Sequence, residues 1–395
     1  MSTLDLPYEG LTVLDLSQGI AGPYCGMMLA RNGADVIKLE PTGAGCWSRQ
    51  LGKSIGDQTA HSVVVHRGKR SLALDLKTTE GVEVAQKLAT KADVLLQNYR
   101  VGKIDRFGLD YKTVAQGNPS IIYASVSGFG TKGDRIGQAA TDSVMQAYTG
   151  IMSINRDATG MPQRINMLAI DFATGLYTFQ AVSAALYKRA MKGTGAHIET
   201  SLLEASLVFQ EAALIDSSLQ KGAVEPIGVP VGTFRTADGF MNINARRQIP
   251  FEAFAKLVGH PEWIDDDRFA NPRARVENAD ALMAMIIPII ETRTTRAWSG
   301  EFAKIDVLHA AVHTHEELFN DEQVKAVDAI RWVEDDTLGR IPMASIPGQP
   351  PHETGHMLSH SPHVGEHSRD VLAELGYGAV AIDDMVSKGV IEEKL

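Results

Sequence analysis

Apolar residues along the first half of this chain alternate between short unbroken runs and helical spacings. Leu11-Thr-Val-Leu-Asp-Leu16 reads as a buried strand. Gly22-Pro23 opens a helix whose apolar Met27, Met28 and Leu29 lead to the stop signal Asn32-Gly33. Ala34-Asp-Val-Ile-Lys-Leu-Glu40 reads as the next strand. Strand, helix and strand in such close succession form a βαβ unit, whose strands run parallel. The alternation continues with a strand at Ser71–Leu76, an amphipathic helix from Thr79 to Ala92, and strands at Asp93–Gln97 and Ile121–Val126. A helix-like stretch opens at Asp171 and runs to Arg189. A basic Gly-Thr-Gly turn (Lys192 to Gly195) and a second amphipathic stretch, Thr200–Leu207, follow it. The pattern predicts an α/β fold with a large Rossmann-like domain over residues 1–225.

Further on the character changes. Pro230 to Ala245 reads as a hairpin turning at Asp238-Gly239. Helical patterns follow, from Pro250 to Leu257 and from Asn278 to Glu291. This is the signature of a smaller α+β domain, placed at residues 226–325. The remaining residues, 326–395, hold a loop at Pro347-Gly-Gln-Pro-Pro351 and a last helix at Ser368–Leu375.

Composition narrows the function classes. The net charge of −10 argues against nucleic acid as a partner, so an anionic ligand needs a local basic patch. Two cysteines, Cys25 and Cys46, in 395 residues fit a reducing cytoplasmic setting. The first ten residues lack a basic stretch followed by an apolar run, so no signal peptide is expected. No apolar run reaches the length of a membrane span.

Three features carry candidate chemistry. Asp171 stands where a helix begins. There it either caps the helix or, held ionised by the positive end of the helix dipole, acts as a nucleophile toward an activated acyl group. A basic cluster, Arg67, Lys69, Arg70 and Lys77 followed by Arg100, Lys103 and Arg106, flanks predicted strand ends, where α/β folds bind ligands. It suits a phosphorylated cofactor, or it is solvated surface. His352-Glu-Thr-Gly-His356 matches the zinc-hydrolase pattern HExxH, but two preceding prolines and Gly355 argue against the helix that chemistry needs. A histidine-rich surface loop, extended by His360, His363 and His367, is the reading adopted, with no metal site. Neither GxGxxG nor GxxxxGK[ST] occurs at the first strand, so neither dinucleotide binding nor nucleotide hydrolysis is indicated.

Taken in order, several stretches together resemble the family III (CaiB/BaiF) CoA-transferases, the formyl-CoA and carnitine CoA-transferase group. They include Leu14-Asp-Leu-Ser17 with Ala21-Gly-Pro23, Gly33-Ala-Asp-Val-Ile-Lys-Leu-Glu40, and Gly68-Lys-Arg-Ser-Leu72 with Leu74-Asp-Leu-Lys77. Gln97-Asn-Tyr-Arg100, Ser125-Val-Ser-Gly-Phe-Gly130, Asp171, Thr236-Ala-Asp-Gly239 and Val371-Leu-Ala-Glu-Leu-Gly376 extend the likeness over nearly the whole chain.

The resemblance implies an interlocked homodimer whose large domain is completed by the C-terminal segment. It implies Asp171 as the nucleophile and Leu74, Lys77, Asn98, Tyr99, Arg100 and Arg106 as the coenzyme A site, with acyl-CoA as a substrate and no permanently bound cofactor. Racemases of the same fold place a His before the acid that is Asp142 here, and a Glu in the loop after the small-domain hairpin. This chain has Thr141 and Ala245-Arg-Arg-Gln248 there. The expected activity is therefore CoA transfer between an acyl-CoA and a carboxylic acid. An α-methylacyl-CoA racemase and a non-catalytic CoA-binding protein are the alternatives. Arg246 and Arg247 suggest a small dicarboxylate such as succinate, since guanidinium grips carboxylate in a bidentate pair. The absence of the glycine-rich loop of formyl-CoA transferases argues against formyl-CoA and oxalate.

Overall fold

The computed structural model describes residues 6–157, 159–221 and 227–394. The expected 225/226 boundary and the first five residues of the N-terminal segment lie outside the described residues. The chain forms two compact units, Met1–Glu211 with Asp328–Leu395, and Ala212–Val327. It is a mixed α/β protein built around a mostly parallel sheet.

In the larger unit the first six strands are β1 (Thr12–Asp15), β2 (Asp35–Glu40), β3 (Arg70–Leu74), β4 (Val94–Gln97), β5 (Ile122–Ser127) and β6 (Ala196–Ser201). The smaller unit holds β7 (Val231–Arg235), β8 (Phe240–Asn244) and β9 (Leu308–Ala311). The chain then returns to the larger unit with the hairpin β10 (Ile330–Asp335) and β11 (Gly339–Ala344), and with β12 (Ile391–Glu392). The main sheet has the order β12-β3-β2-β1-β4-β5-β6. All of its pairs are parallel except the edge pair β12–β3.

Side chains alternate across that sheet, as the pleat requires. Leu14, Leu39, Leu72 and Leu95 pack with Val84 and Leu88 of helix Thr79–Lys91 on one face. Val13, Val36, Val94 and Ile122 pack with Leu29 of helix Ala21–Arg31 and Val182 of helix Ala169–Lys192 on the other. Burying each such aliphatic side chain contributes about 1.5–3 kcal/mol. The predicted stops are real: helix Ala21–Arg31 ends at Asn32, and Gly33 follows at φ +99°.

The order β3-β2-β1-β4-β5-β6 reverses direction at β1. Chains leaving β1 and β4 therefore diverge to opposite sides, opening a crevice at the carboxyl edge. Two helices close it from below. Gly175 makes their contact possible, because a Cβ there would lie 2.7 Å from the Ala21 carbonyl oxygen.

The smaller unit has the antiparallel order β7-β8-β9. Its core gathers Phe251, Phe254, Phe269, Trp298 and Phe302. Thr236 donates its N–H to the Gly239 carbonyl, so the hairpin turns at Asp238-Gly239. The helix expected from Pro250 begins at Gln248. Among the described residues no helix is long and apolar enough to cross a membrane.

Candidate active site

The crevice at the reversal point is a cleft of about 490 Å³. Four loops wall it: Gln18, Ile20 and Ala21 after β1; Asn98 to Val101 with Lys103 after β4; Val126 to Gly130 after β5; and Gly137 to Thr141. Trp47, Asp171 and Leu202 complete the wall. Asn98 fastens the first two loops together. Its amide oxygen accepts from the Gln18 N–H at 2.7 Å, and its amide nitrogen donates to the Gln18 carbonyl at 2.7 Å. The loop after β1 is anchored from beneath by Lys38, which donates to the Ser17 carbonyl.

Asp171 is the third residue of helix Ala169–Lys192, not its cap. The cap comes from elsewhere. Buried Asp142 accepts the N–H groups of Ile170 at 2.7 Å and Asp171 at 3.2 Å through one oxygen. Its other oxygen accepts from Gln146 at 2.6 Å, and Gln146 also holds Ile165 and Met167 of the incoming loop.

Two orphan donors of the helix end are thus spent on Asp142. Among the described residues no hydrogen bond reaches the Asp171 carboxylate. Burial, with the negative charge of Asp142 beside it, raises Asp171 to about 7. The expectation that the helix dipole keeps it fully ionised is therefore corrected: desolvation and a like charge outweigh the dipole.

The structure brings Asp171, Asn98, Tyr99 and Arg100 around one cleft. Tyr99 packs edge-on to Phe107, and Lys103 lies 5.6 Å over its ring. Leu74, Lys77 and Arg106 stand at the same sheet edge but outside the lining. Leu74 is buried at the end of β3, opposite Ile391. Lys77 is exposed in the turn that follows, and Arg106 is exposed on the short helix Ile104–Phe107. Arg246 and Arg247 belong to the smaller unit. They line a separate cleft there with Gly228 and Glu277. Arg246 packs against Gly228, and neither guanidinium has a hydrogen bond or ion pair among the described residues.

Three of the seven residues of the basic cluster are buried or already paired. Lys69 is buried and donates to Asp15 at 2.7 Å. Arg70 pairs with Asp35 at 2.6 Å and Glu374 at 2.8 Å. Arg67 is 6% exposed. Only Lys77, Arg100, Lys103 and Arg106 remain free to meet a polyanion.

The histidine segment is a loop, exposed from Glu353 to Met357, but not all of its histidines are solvated. His352 is 1% exposed, His363 donates to the Asp57 carboxylate at 2.6 Å, and His360 meets Glu366 at 2.8 Å. Residues 352–356 are turn and coil, and among the described residues no three potential ligands gather for a metal.

Asp142, Gln18, Trp47 and the Ser127–Gly130 turn escaped residue-by-residue prediction. Ser-Gly-Phe-Gly directly after a strand was the available signal for the last of these, because such turns leave backbone N–H groups free at a sheet edge.

Known proteins agree with this architecture. Residues 8–368 match the model of CoA-transferase family III. The chain is 31% identical over 398 residues to the mouse succinyl-CoA:glutarate CoA-transferase, covering 98% of this chain and 91% of the mouse protein. It is 33% identical to a succinate–glutarate CoA-transferase of Agrobacterium fabrum, covering 93% of this chain and 96% of that one. A CAIB/BAIF family protein of Brucella suis superposes with a TM-score of 0.82 at 31% identity, covering 93% of this chain and 99% of that structure. The chain belongs to CoA-transferase family III.

Proposed function

We propose that this enzyme moves coenzyme A between two carboxylic acids through covalent intermediates on Asp171. The observation that supports this most is a half-buried carboxylate, raised to about 7 and free of hydrogen bonds, in the cleft at the sheet's reversal point. Once ionised, a carboxylate stripped of donors is a better nucleophile than a solvated one.

In the proposed sequence an Asp171 oxygen attacks the thioester carbonyl carbon, the C–S bond breaks and the CoA thiolate leaves a mixed anhydride. The thiolate then attacks the Asp171 carbonyl carbon, forming an aspartyl-CoA thioester and freeing the donor acid as its carboxylate. The acceptor carboxylate runs the two steps in reverse. Helix Ala21–Arg31 has no side-chain cap, and Ala21 lines the cleft, so its first N–H groups suit the developing oxyanions.

Lys77, Arg100 and Arg106 would hold the anionic end of CoA, while Leu74, Asn98 and Tyr99 would flank its less polar part. A small dicarboxylate, the kind of acid named for the mouse and Agrobacterium relatives, suits the two unpaired guanidiniums of Arg246 and Arg247. Assembly as an interlocked homodimer belongs to the same proposal.

The test of the acid is a comparison of succinate, glutarate and butyrate as acceptors from succinyl-CoA, in the wild type and in Arg246→Ala and Arg247→Ala. A preference for the dicarboxylates that the variants lose supports the reading. A wild-type preference for butyrate overturns it.

A further inference from the structure

A second cleft, of about 730 Å³, opens in the larger unit on different walls from the Asp171 cleft. The β11 strand contributes Ile341 and Met343, helix Ala60–His66 contributes Val63 and Val64, and Tyr24 and Phe172 meet edge-on at 4.8 Å across it. Its lining is mostly apolar, and none of its described lining residues is acidic.

Arg67 stands in this apolar wall. The residue is 6% exposed, its Nε is sealed from solvent without a partner, and among the described residues its guanidinium donates to no carboxylate or carbonyl. Arg31 nearby offers no relief. It donates to the carbonyls of Leu358 and Pro350 and repels Arg67. Burial and that repulsion pull Arg67 down to about 10, so it still carries its charge at neutral pH.

A buried, unpaired guanidinium is costly to keep. A cation facing an apolar slot has one natural complement: an anion that is planar at the head and apolar behind it. Guanidinium matches carboxylate through two parallel hydrogen bonds, and the slot has room for an alkyl or aryl chain. We propose that the Tyr24–Arg67–Phe172 cleft is a binding site for a monocarboxylate with an apolar chain. The site is distinct from the transfer centre, although Phe172 is the residue next to Asp171. The proposal does not depend on the role assigned to Asp171.

The experiment is titration calorimetry of the intact protein with octanoate, with octanol as the uncharged probe of equal length. Four proteins are compared: wild type, Arg67→Met, Ala344→Phe and Asp171→Ala. Ala344 is exposed on the cleft wall, so its replacement by Phe narrows the slot without disturbing the core. Octanoate should bind the wild type at least tenfold more tightly than octanol. Arg67→Met should abolish that difference, Ala344→Phe should weaken octanoate at least tenfold, and Asp171→Ala should leave it unchanged. Absence of octanoate binding to the wild type overturns the proposal. So does equal binding by Arg67→Met, or binding that disappears in Asp171→Ala.

Discussion

Asp15 and Asp171 are both shielded carboxylates at the carboxyl edge of one sheet, and the protein treats them oppositely. Burial alone would raise Asp15. Lys38 at 3.7 Å and Lys69 at 2.7 Å, with hydrogen bonds from Lys69 and Ser17, overcome it and hold Asp15 below its ordinary value. Among the described residues Asp171 has no ion pair and no hydrogen-bond donor; burial, with the like charge of Asp142 beside it, raises it to about 7. The lesson concerns what each carboxylate is for. A carboxylate wrapped in donors fixes the loop after β1, whereas one left without them keeps its electron pairs for chemistry.

The largest way to test this contrast is to remove the reactive member. Asp171→Ala should lower CoA transfer by at least roughly a thousandfold, because a lost nucleophile removes the whole covalent route. CoA binding by calorimetry should survive. Lys69→Met attacks the structural member. It leaves Asp15 buried with one remaining cation and should cost about 3 kcal/mol in urea unfolding. A loss below about 1 kcal/mol would mean that Lys38 alone suffices.

The pair should also diverge with pH. Asp15 has a depressed folded value, so its contribution is present above the unfolded value near 3.8 and is lost as pH falls through the folded value. Asp171 has a raised one, so the folded state holds a proton that the unfolded chain has released, and stability drains away as pH rises from about 4 to about 7. Asp171→Asn should therefore unfold less readily than the wild type at pH 8, by about 2 kcal/mol once partial exposure is discounted. At pH 4 the two should be nearly equal.

A smaller effect sharpens the cause. Asp142→Asn keeps an oxygen for the Ile170 N–H but removes the charge. The acid limb of the activity profile should move down by about one pH unit. An unmoved limb would assign the whole shift of Asp171 to burial. The exposed cations mark the weak end of the scale. Arg106→Ala should raise the KM for acyl-CoA about tenfold while leaving the KM for the acid alone, the size of one charge-assisted phosphate contact.

Much of the scaffold was legible. The strands around Leu14, Ile37, Leu72, Leu95 and Ile122 are apolar runs with clear stops, because a parallel sheet covered on both faces demands them. The hairpin at Asp238-Gly239 and the helix of Asp171 carried local signals. What was hidden depends on contacts distant in sequence. Asp142 caps a helix that begins 27 residues later, at Ala169, and no local pattern announces that. Arg67 and Lys69 read as a surface patch, and only the packing of helix Ala60–His66 and the turn after it against helix Ala21–Arg31 shows them sealed inside. The strands β10 and β11 each bury a single residue, Val333 and Met343, between exposed neighbours, so they offer no apolar run to read. His352 reads as solvated like its exposed neighbours, because no local pattern distinguishes it, but the fold of the larger unit buries it alone among residues 351–357.

The central claim is that Asp171 carries the acyl group and then CoA. Its most direct test is hydroxylamine trapping. The wild type is incubated with succinyl-CoA and quenched with hydroxylamine, and its tryptic peptides are read by tandem mass spectrometry. The account predicts a hydroxamate on Asp171, absent without succinyl-CoA and absent in Asp171→Asn. A hydroxamate on another carboxylate, or full transfer activity in Asp171→Asn, would contradict it.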